Sequence, residues 1–244
     1  MEIIYQKNQT DLAKTGAAVI AETISDLLKK QPQVILALAG GRSLAGIFVG
    51  LAKDKIIDWS RVHIFMVDER LVPLNDLASN FSQANQALIE PLIKSSRLAE
   101  ANVHPFIFMP NQPDFGLEQY TAELKRHGGK YDIILLGAGE DGHIAALFPQ
   151  HHSIFNEAEF YLTFSDSPKS PPGRLTASKT LLAQAQAALI VFLGEAKLQA
   201  YHKFLDPKIN LADCPAKLVK KIKHSYLLTD LDGYDKNSPS HQKI

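Results

Sequence analysis

Asp141, Gly142 and His143 stand at the end of an apolar run, within the stretch YDIILLGAGEDGHIAALFP from Tyr131 to Pro149. A buried strand that delivers a carboxylate and an imidazole into a glycine-rich turn is a common way for α/β enzymes to present catalytic groups. Histidine has the one side chain whose unperturbed pKa suits proton transfer near neutrality. His143 therefore reads as a candidate general base, and Asp141 as a carboxylate that orients the imidazole or stabilises its protonated form. The plainer reading is a turn built by Asp-Gly, and the two roles can coexist.

Other loops carry chemistry of their own. Gly40-Gly41-Arg42-Ser43 follows the apolar run VILALA at 34–39. Backbone N–H groups at a helix start, a hydroxyl and a guanidinium together suit an oxyanion or a phosphate, although an ordinary strand-to-helix turn has the same look. Asp68-Glu69-Arg70 follows VHIFMV at 62–67 and puts three charges directly after a strand. Arg174, in the Pro-rich loop SPKSPPGR, and Lys197, after ALIVFL, are two loop cations. Singly each is a solvated surface charge; with Arg42 they can clamp a phosphate, Arg by forked hydrogen bonds and Lys as a point charge.

Two tempting motifs are read differently. Gly137 to Gly142 matches the G-x-G-x-x-G pattern of dinucleotide sites, but Pro149 leaves little room for the helix that should follow, and the motif is central in the chain. Its glycines, Gly139 among them, are read instead as letting the backbone pass close to a substrate. His151-His152 could join His143 in a metal cluster, yet no carboxylate or cysteine completes a usual ligand spacing, and both are expected to be exposed. His63, His104, His127, His202, His224 and His241 show no partner pattern.

The elements that must position these groups alternate along the chain. Helices are expected from a Thr10 cap to about Lys30, over Leu44–Lys53, from Ser79 or Asn80 to about Leu92, over Gly116–His127, over Thr180–Ala187, after Gly194 and from Pro215. Strands are expected at Val34–Ala39, Val62–Val67, Tyr131–Leu136, Phe160–Phe164, Ala188–Leu193 and Tyr226–Thr229. The last ten residues, DKNSPSHQKI, read as a frayed tail. This alternation predicts an α/β fold with a mostly parallel sheet covered by helices on both faces, a Rossmann-like three-layer sandwich, in one domain over 1–244. Ligands of such sheets bind outside the carboxyl ends of the strands, where the GGRS, DER, GAGEDGH and GEAK segments all fall.

Composition removes several classes of function. Lys plus Arg equals Asp plus Glu at 26 each, so no bulk charge draws the chain to nucleic acid or an anionic membrane. Cys214 is the single cysteine, which rules out an intrachain disulfide. No apolar window approaches the roughly 20 residues of a membrane span, and no signal peptide is visible, so a cytoplasmic location is expected.

Taken in order, LAGGRS at 38–43, VDERLVP at 67–73, ND and SN within 75–80, LLGAGEDGHIAALFP at 135–149, PPGRLT at 171–176 and GEAK at 194–197 resemble the 6-phosphogluconolactonase family. Its wider superfamily includes glucosamine-6-phosphate deaminase. Arg70 and the Leu147-Phe148-Pro149 ending resemble the lactonases rather than the deaminases, which typically carry DEY and an IAFNEP run. Ala39, Leu44, Ile144 and Gln150 depart from common family residues. The resemblance implies hydrolysis of 6-phospho-D-glucono-1,5-lactone in the oxidative pentose phosphate pathway, with a sugar phosphate as small-molecule partner and no cofactor or metal. It implies His143, Asp141 and Arg70 as catalytic groups. Gly40, Gly41, Arg42, Ser43, Asp68, Glu69, Gly139, Arg174 and Lys197 would bind substrate. A monomer or small homo-oligomer is expected. The competing readings are a sugar-phosphate deaminase, a non-catalytic sugar-phosphate sensor and a dinucleotide oxidoreductase.

Overall fold

The computed structural model describes residues 1–231; the expected frayed tail and His241 lie outside the described residues. Seven strands form one parallel sheet: β1 (Glu2–Tyr5), β2 (Val34–Leu38), β3 (Val62–Met66), β5 (Val103–His104), β6 (Ile133–Gly137), β9 (Ala187–Phe192) and β10 (His224–Thr229). Their spatial order is β1-β10-β9-β6-β2-β3-β5. Every residue of β2 and β9 is buried. Successive strand side chains point to opposite faces, so both faces of the sheet are covered.

The helices are α1 (Gln9–Leu28), α2 (Ala45–Lys53), α3 (Asn80–Ala84), α4 (Glu90–Lys94), α5 (Leu117–Arg126), α6 (His152–Phe155), α7 (Lys179–Ala183) and α8 (Leu198–Leu205). A π-turn at Asn85–Ile89 joins α3 to α4. Trp59, Tyr131, Tyr201, Phe48 and Phe65 are the bulkiest fully buried side chains of the core. Among the described residues no helix is long and apolar enough to cross a membrane.

Several expected boundaries move. The cap of α1 is Asn8, whose side chain accepts from the Thr10 and Asp11 N–H groups at 2.9 and 3.1 Å. Thr10 thus supplies a donor within the first turn instead of the cap. The helix expected over Thr180–Ala187 stops at Ala183, because Ala187 begins β9. Strands β1 and β5 are short additions at the two sheet edges.

A second, antiparallel sheet was not expected. Asp68-Glu69-Arg70 is itself a strand, β4, and it pairs with β8 (Arg174–Ala177), which pairs in turn with β7 (Tyr161–Phe164). Arg174 therefore opens a strand and is not a loop cation. The small sheet is tied to the end of β3 where the Ala177 N–H donates to the Val67 carbonyl at 2.6 Å.

The chain leaves β2 toward β3 on one side and returns to place β6 on the other. The crevice at this reversal is where open parallel sheets bind ligands. The GGRS and GAGEDGH segments leave β2 and β6 there.

Candidate active site

A cavity of about 540 Å³ opens at this reversal. Its walls come from four directions: Gly40 to Ser43 after β2, Asp68 and Arg70 on β4, Gly139 and His143 after β6, and Arg174 on β8. Lys197, at the end of a 3₁₀ turn (Glu195–Lys197) ahead of α8, closes the rim. The structure thus brings Gly40 and Lys197, 157 residues apart in the sequence, to one cavity.

His143 Nδ1 lies 2.6 Å from Asp141 Oδ1, and the same oxygen accepts the His143 backbone N–H at 3.1 Å. The Asp141 carboxylate can only accept, so the ring proton sits on Nδ1 and Nε2 keeps the basic lone pair. The His143 ring also packs on Phe148, with centroids 4.8 Å apart. Burial alone would raise the Asp141 carboxyl, but the hydrogen bonds and charge of His143 hold it well below the usual carboxylate range. Asp141 itself is outside the cavity wall and touches substrate space only through His143.

The turn needs its glycines for stated reasons. A Cβ on Gly139 would meet His143 Nδ1 at 2.0 Å, and Gly142 has φ +95° against Cys214. No helix follows this turn until α6 at His152, so the N-terminal helix dipole that a dinucleotide pyrophosphate uses is not placed here.

The DER strand divides its labour by alternation. Asp68 and Arg70 face the cavity, and Glu69 points away from it. Glu69 accepts from the N–H groups of Arg70, Asn80 and Phe81, each at 2.7 Å, and from the Ser79 hydroxyl at 3.0 Å. It anchors the start of α3 and does not line the substrate space, which corrects its expected binding role. Asp68 is buried and held by Asn80 Nδ2 at 2.9 Å. Burial pushes the Asp68 carboxyl up, against the charges of Arg70, Arg174 and His143.

Arg174 is buried and spends its donors on carbonyls of its own loop: Pro171, Gly173 at 3.2 Å and Lys169 at 3.0 Å. Burial, then the charge of Arg70, lowers it to about 10, against Asp68 and Glu69. Lys197 is likewise lowered by burial, against the nearby Glu140 and Asp141. The Gly41 N–H, expected to face an anion, donates to Gln83 Oε1 at 3.1 Å. Gly40 is required because a Cβ would strike Asn80 Oδ1 at 2.0 Å.

The sequence leaves several wall residues unassigned, Gln9, Asn80, Glu140, Phe148, Lys169 and Ser170 among them. Asn80 reads in the sequence as a helix cap and a family landmark, Lys169 as part of a Pro-rich loop, and Phe148 as a family landmark; all three line the cavity. Their signal was adjacency to marked motifs, since Lys169 stands five residues before Arg174. His151 is also corrected: its side chain is mostly buried, between Phe148 and Phe164, while His152 is exposed. Both meet Asp166, and His151 packs on the same Phe148 ring as His143.

The family pattern described as Glucosamine-6-phosphate isomerases/6-phosphogluconolactonase matches residues 7–228. The 6-phosphogluconolactonase of Borreliella burgdorferi is 30% identical over 202 residues, covering 83% of this chain and 86% of that protein. The crystal structure of 6-phosphogluconolactonase from Thermotoga maritima superposes with a TM-score of 0.78 at 25% identity, covering 93% of this chain and 98% of that one. A 6-phosphogluconolactonase structure from Shewanella baltica shares the fold with a TM-score of 0.80 at 22% identity, over 94% of this chain and 96% of that one. By its motifs, its fold and these relatives, the chain belongs to the glucosamine-6-phosphate isomerase/6-phosphogluconolactonase family.

Proposed function

We propose that this protein hydrolyses 6-phospho-D-glucono-1,5-lactone to 6-phospho-D-gluconate, with His143 as general base. The observation that carries the reading is a cavity that joins a tautomer-fixed imidazole to a cationic wall of Arg42, Arg70, Arg174 and Lys197. His143 Nε2 takes a proton from water as the water oxygen bonds to the lactone carbonyl carbon. The tetrahedral intermediate then collapses, the ring C–O bond breaks, and the imidazolium returns the proton to the departing oxygen. Asp141 stabilises that imidazolium and keeps Nε2 as the acting nitrogen. Arg70 is the donor to the oxyanion, since the Gly41, Gly139 and Gly142 N–H groups already donate to Gln83, His143 and Gly139. Arg174, Lys197, Arg42 and Ser43 hold the phosphate, which anchors the ring away from the reacting carbon. A lactone is an activated ester, so no covalent intermediate is required.

The test is hydrolysis of freshly generated 6-phosphogluconolactone by chelator-treated protein, against the spontaneous rate and a His143→Ala control. Fast hydrolysis that falls by roughly 10²–10⁴-fold in the variant is the expected result. No acceleration above background rejects the lactonase reading, and ammonia release from glucosamine 6-phosphate becomes the next assay. Acceleration that survives in His143→Ala removes the base but keeps the reaction.

A further inference from the structure

Three histidines that the sequence leaves unconnected meet away from the cavity. His63 is the second residue of β3, His104 ends the edge strand β5, and His127 follows α5. Glu123 on α5 joins them. Its Oε1 lies 3.0 Å from His104 Nδ1 and 3.3 Å from His127 Nε2.

A carboxylate only accepts, so both rings carry their proton on the nitrogen that faces Glu123. His104 Nε2 and His127 Nδ1 are left as lone-pair donors. His63 Nδ1 donates its proton to His104 Nε2 at 3.0 Å, and a cation bound between the two rings would take that proton's place. One nitrogen from each ring falls within 4.8 Å of the others. Phe65 stacks on His104 at 4.3 Å and 15°, fixing its ring plane.

This is the arrangement of a carboxylate–histidine–metal site, in which an outer carboxylate sets the tautomer and aims the opposite nitrogen. Zinc–nitrogen bonds of about 2.0–2.1 Å put tetrahedral ligand nitrogens about 3.3 Å apart. The His63–His104 pair is already close to that spacing, and a nitrogen of His127 lies within 4.8 Å of both. Neutral imidazole suits Zn²⁺ and its borderline neighbours.

The other histidine group differs. His151 Nδ1 accepts the Ser153 N–H at 3.2 Å, so its proton sits on Nε2, toward Asp166. In that group both rings turn their Nε2 toward Asp166, and among the described residues no outer carboxylate aims the opposite nitrogens at a common point.

We propose that His63, His104 and His127 bind one divalent cation of the Zn²⁺ class through imidazole nitrogens, with Glu123 fixing the tautomers of His104 and His127. The ion would pin the two-residue edge strand β5 to β3 and to α5. It stands apart from hydrolysis, because none of the three histidines lines the cavity.

Calorimetric titration of chelator-treated full-length protein with Zn²⁺ tests this, with Co²⁺ absorption as the ligand-field readout. The expected result is one saturable site, a tetrahedral Co²⁺ spectrum and a raised Tm. Affinity should fall at least tenfold in His104→Gln and in His127→Gln, and stay unchanged in His152→Ala and His143→Ala. His127→Gln carries the test if His104→Gln does not fold, and it should keep wild-type lactone hydrolysis. Absence of saturable binding overturns the proposal. So does binding that survives His127→Gln, or that is lost in His152→Ala or His143→Ala.

Discussion

Arg70 and Arg174 stand directly opposite each other across the β4–β8 pair, two guanidinium groups on one cavity wall. Such like-charge neighbours are tolerated because Asp68 sits on the same wall and because both residues donate to backbone carbonyls, Arg70 to Ala78 and Arg174 to its own loop. A bound anion completes the charge balance of the wall. Arg174→Ala is expected to act twice, since it removes a cation and leaves three loop carbonyls without their donor. Stability should drop by about 1–3 kcal/mol and KM should rise. A thermal melt beside steady-state kinetics checks both; a raised KM with unchanged Tm would refute the structural half.

Lys197 closes the rim without such backbone duties. Lys197→Ala should raise KM for the phosphorylated lactone by roughly tenfold, the loss of one charge-assisted contact, and leave hydrolysis of the unphosphorylated lactone unchanged. Equal losses on the two substrates would take Lys197 out of phosphate binding.

Glu69 separates folding from binding. In Glu69→Gln one oxygen becomes an amide that turns donors toward donors already in place. Each backbone N–H left unsatisfied costs about 1–3 kcal/mol. Denaturant unfolding should show that loss, with KM of the remaining folded enzyme near wild type. A raised KM at full stability would return Glu69 to the substrate.

The histidine cluster predicts an acid-side loss of stability in metal-free protein. Burial and the neighbouring His127 and His63 push His104 down to about 4 from an ordinary 6.5, with Glu123 opposing. Between those values the unfolded chain binds the proton and the folded chain does not. Stability therefore falls as pH drops from about 6.5 toward 4, by at most about 1.4 kcal/mol per pH unit. Denaturant midpoints across that window should show the slope, and His104→Gln should flatten it. An unchanged slope in that variant would assign it to other groups.

The buried strands were legible because VILALA, VHIFMV and ALIVFL have no surface reading. Strand β4 was not, because three charged residues carry no apolar signal and become a strand only by pairing with β8. The same pairing turned Arg174 from a loop residue into a strand residue. His143 and Asp141 were legible because their contact is local, two residues apart. The histidine trio was not, since 41 residues separate His63 from His104 and only the β3–β5 pairing brings them together.

The alternation along β4 has a consequence for how this site can change. Asp68 and Arg70 share a face and Glu69 takes the other, a phase set by three consecutive residue pairs in register with β8. Point substitutions can tune each position separately. A single inserted or deleted residue ahead of Asp68 would instead invert the whole triplet, burying an arginine against the start of α3 and turning the anchoring carboxylate on an incoming phosphate. This three-residue strand is therefore a reading frame for the site, open to substitution and closed to changes of length.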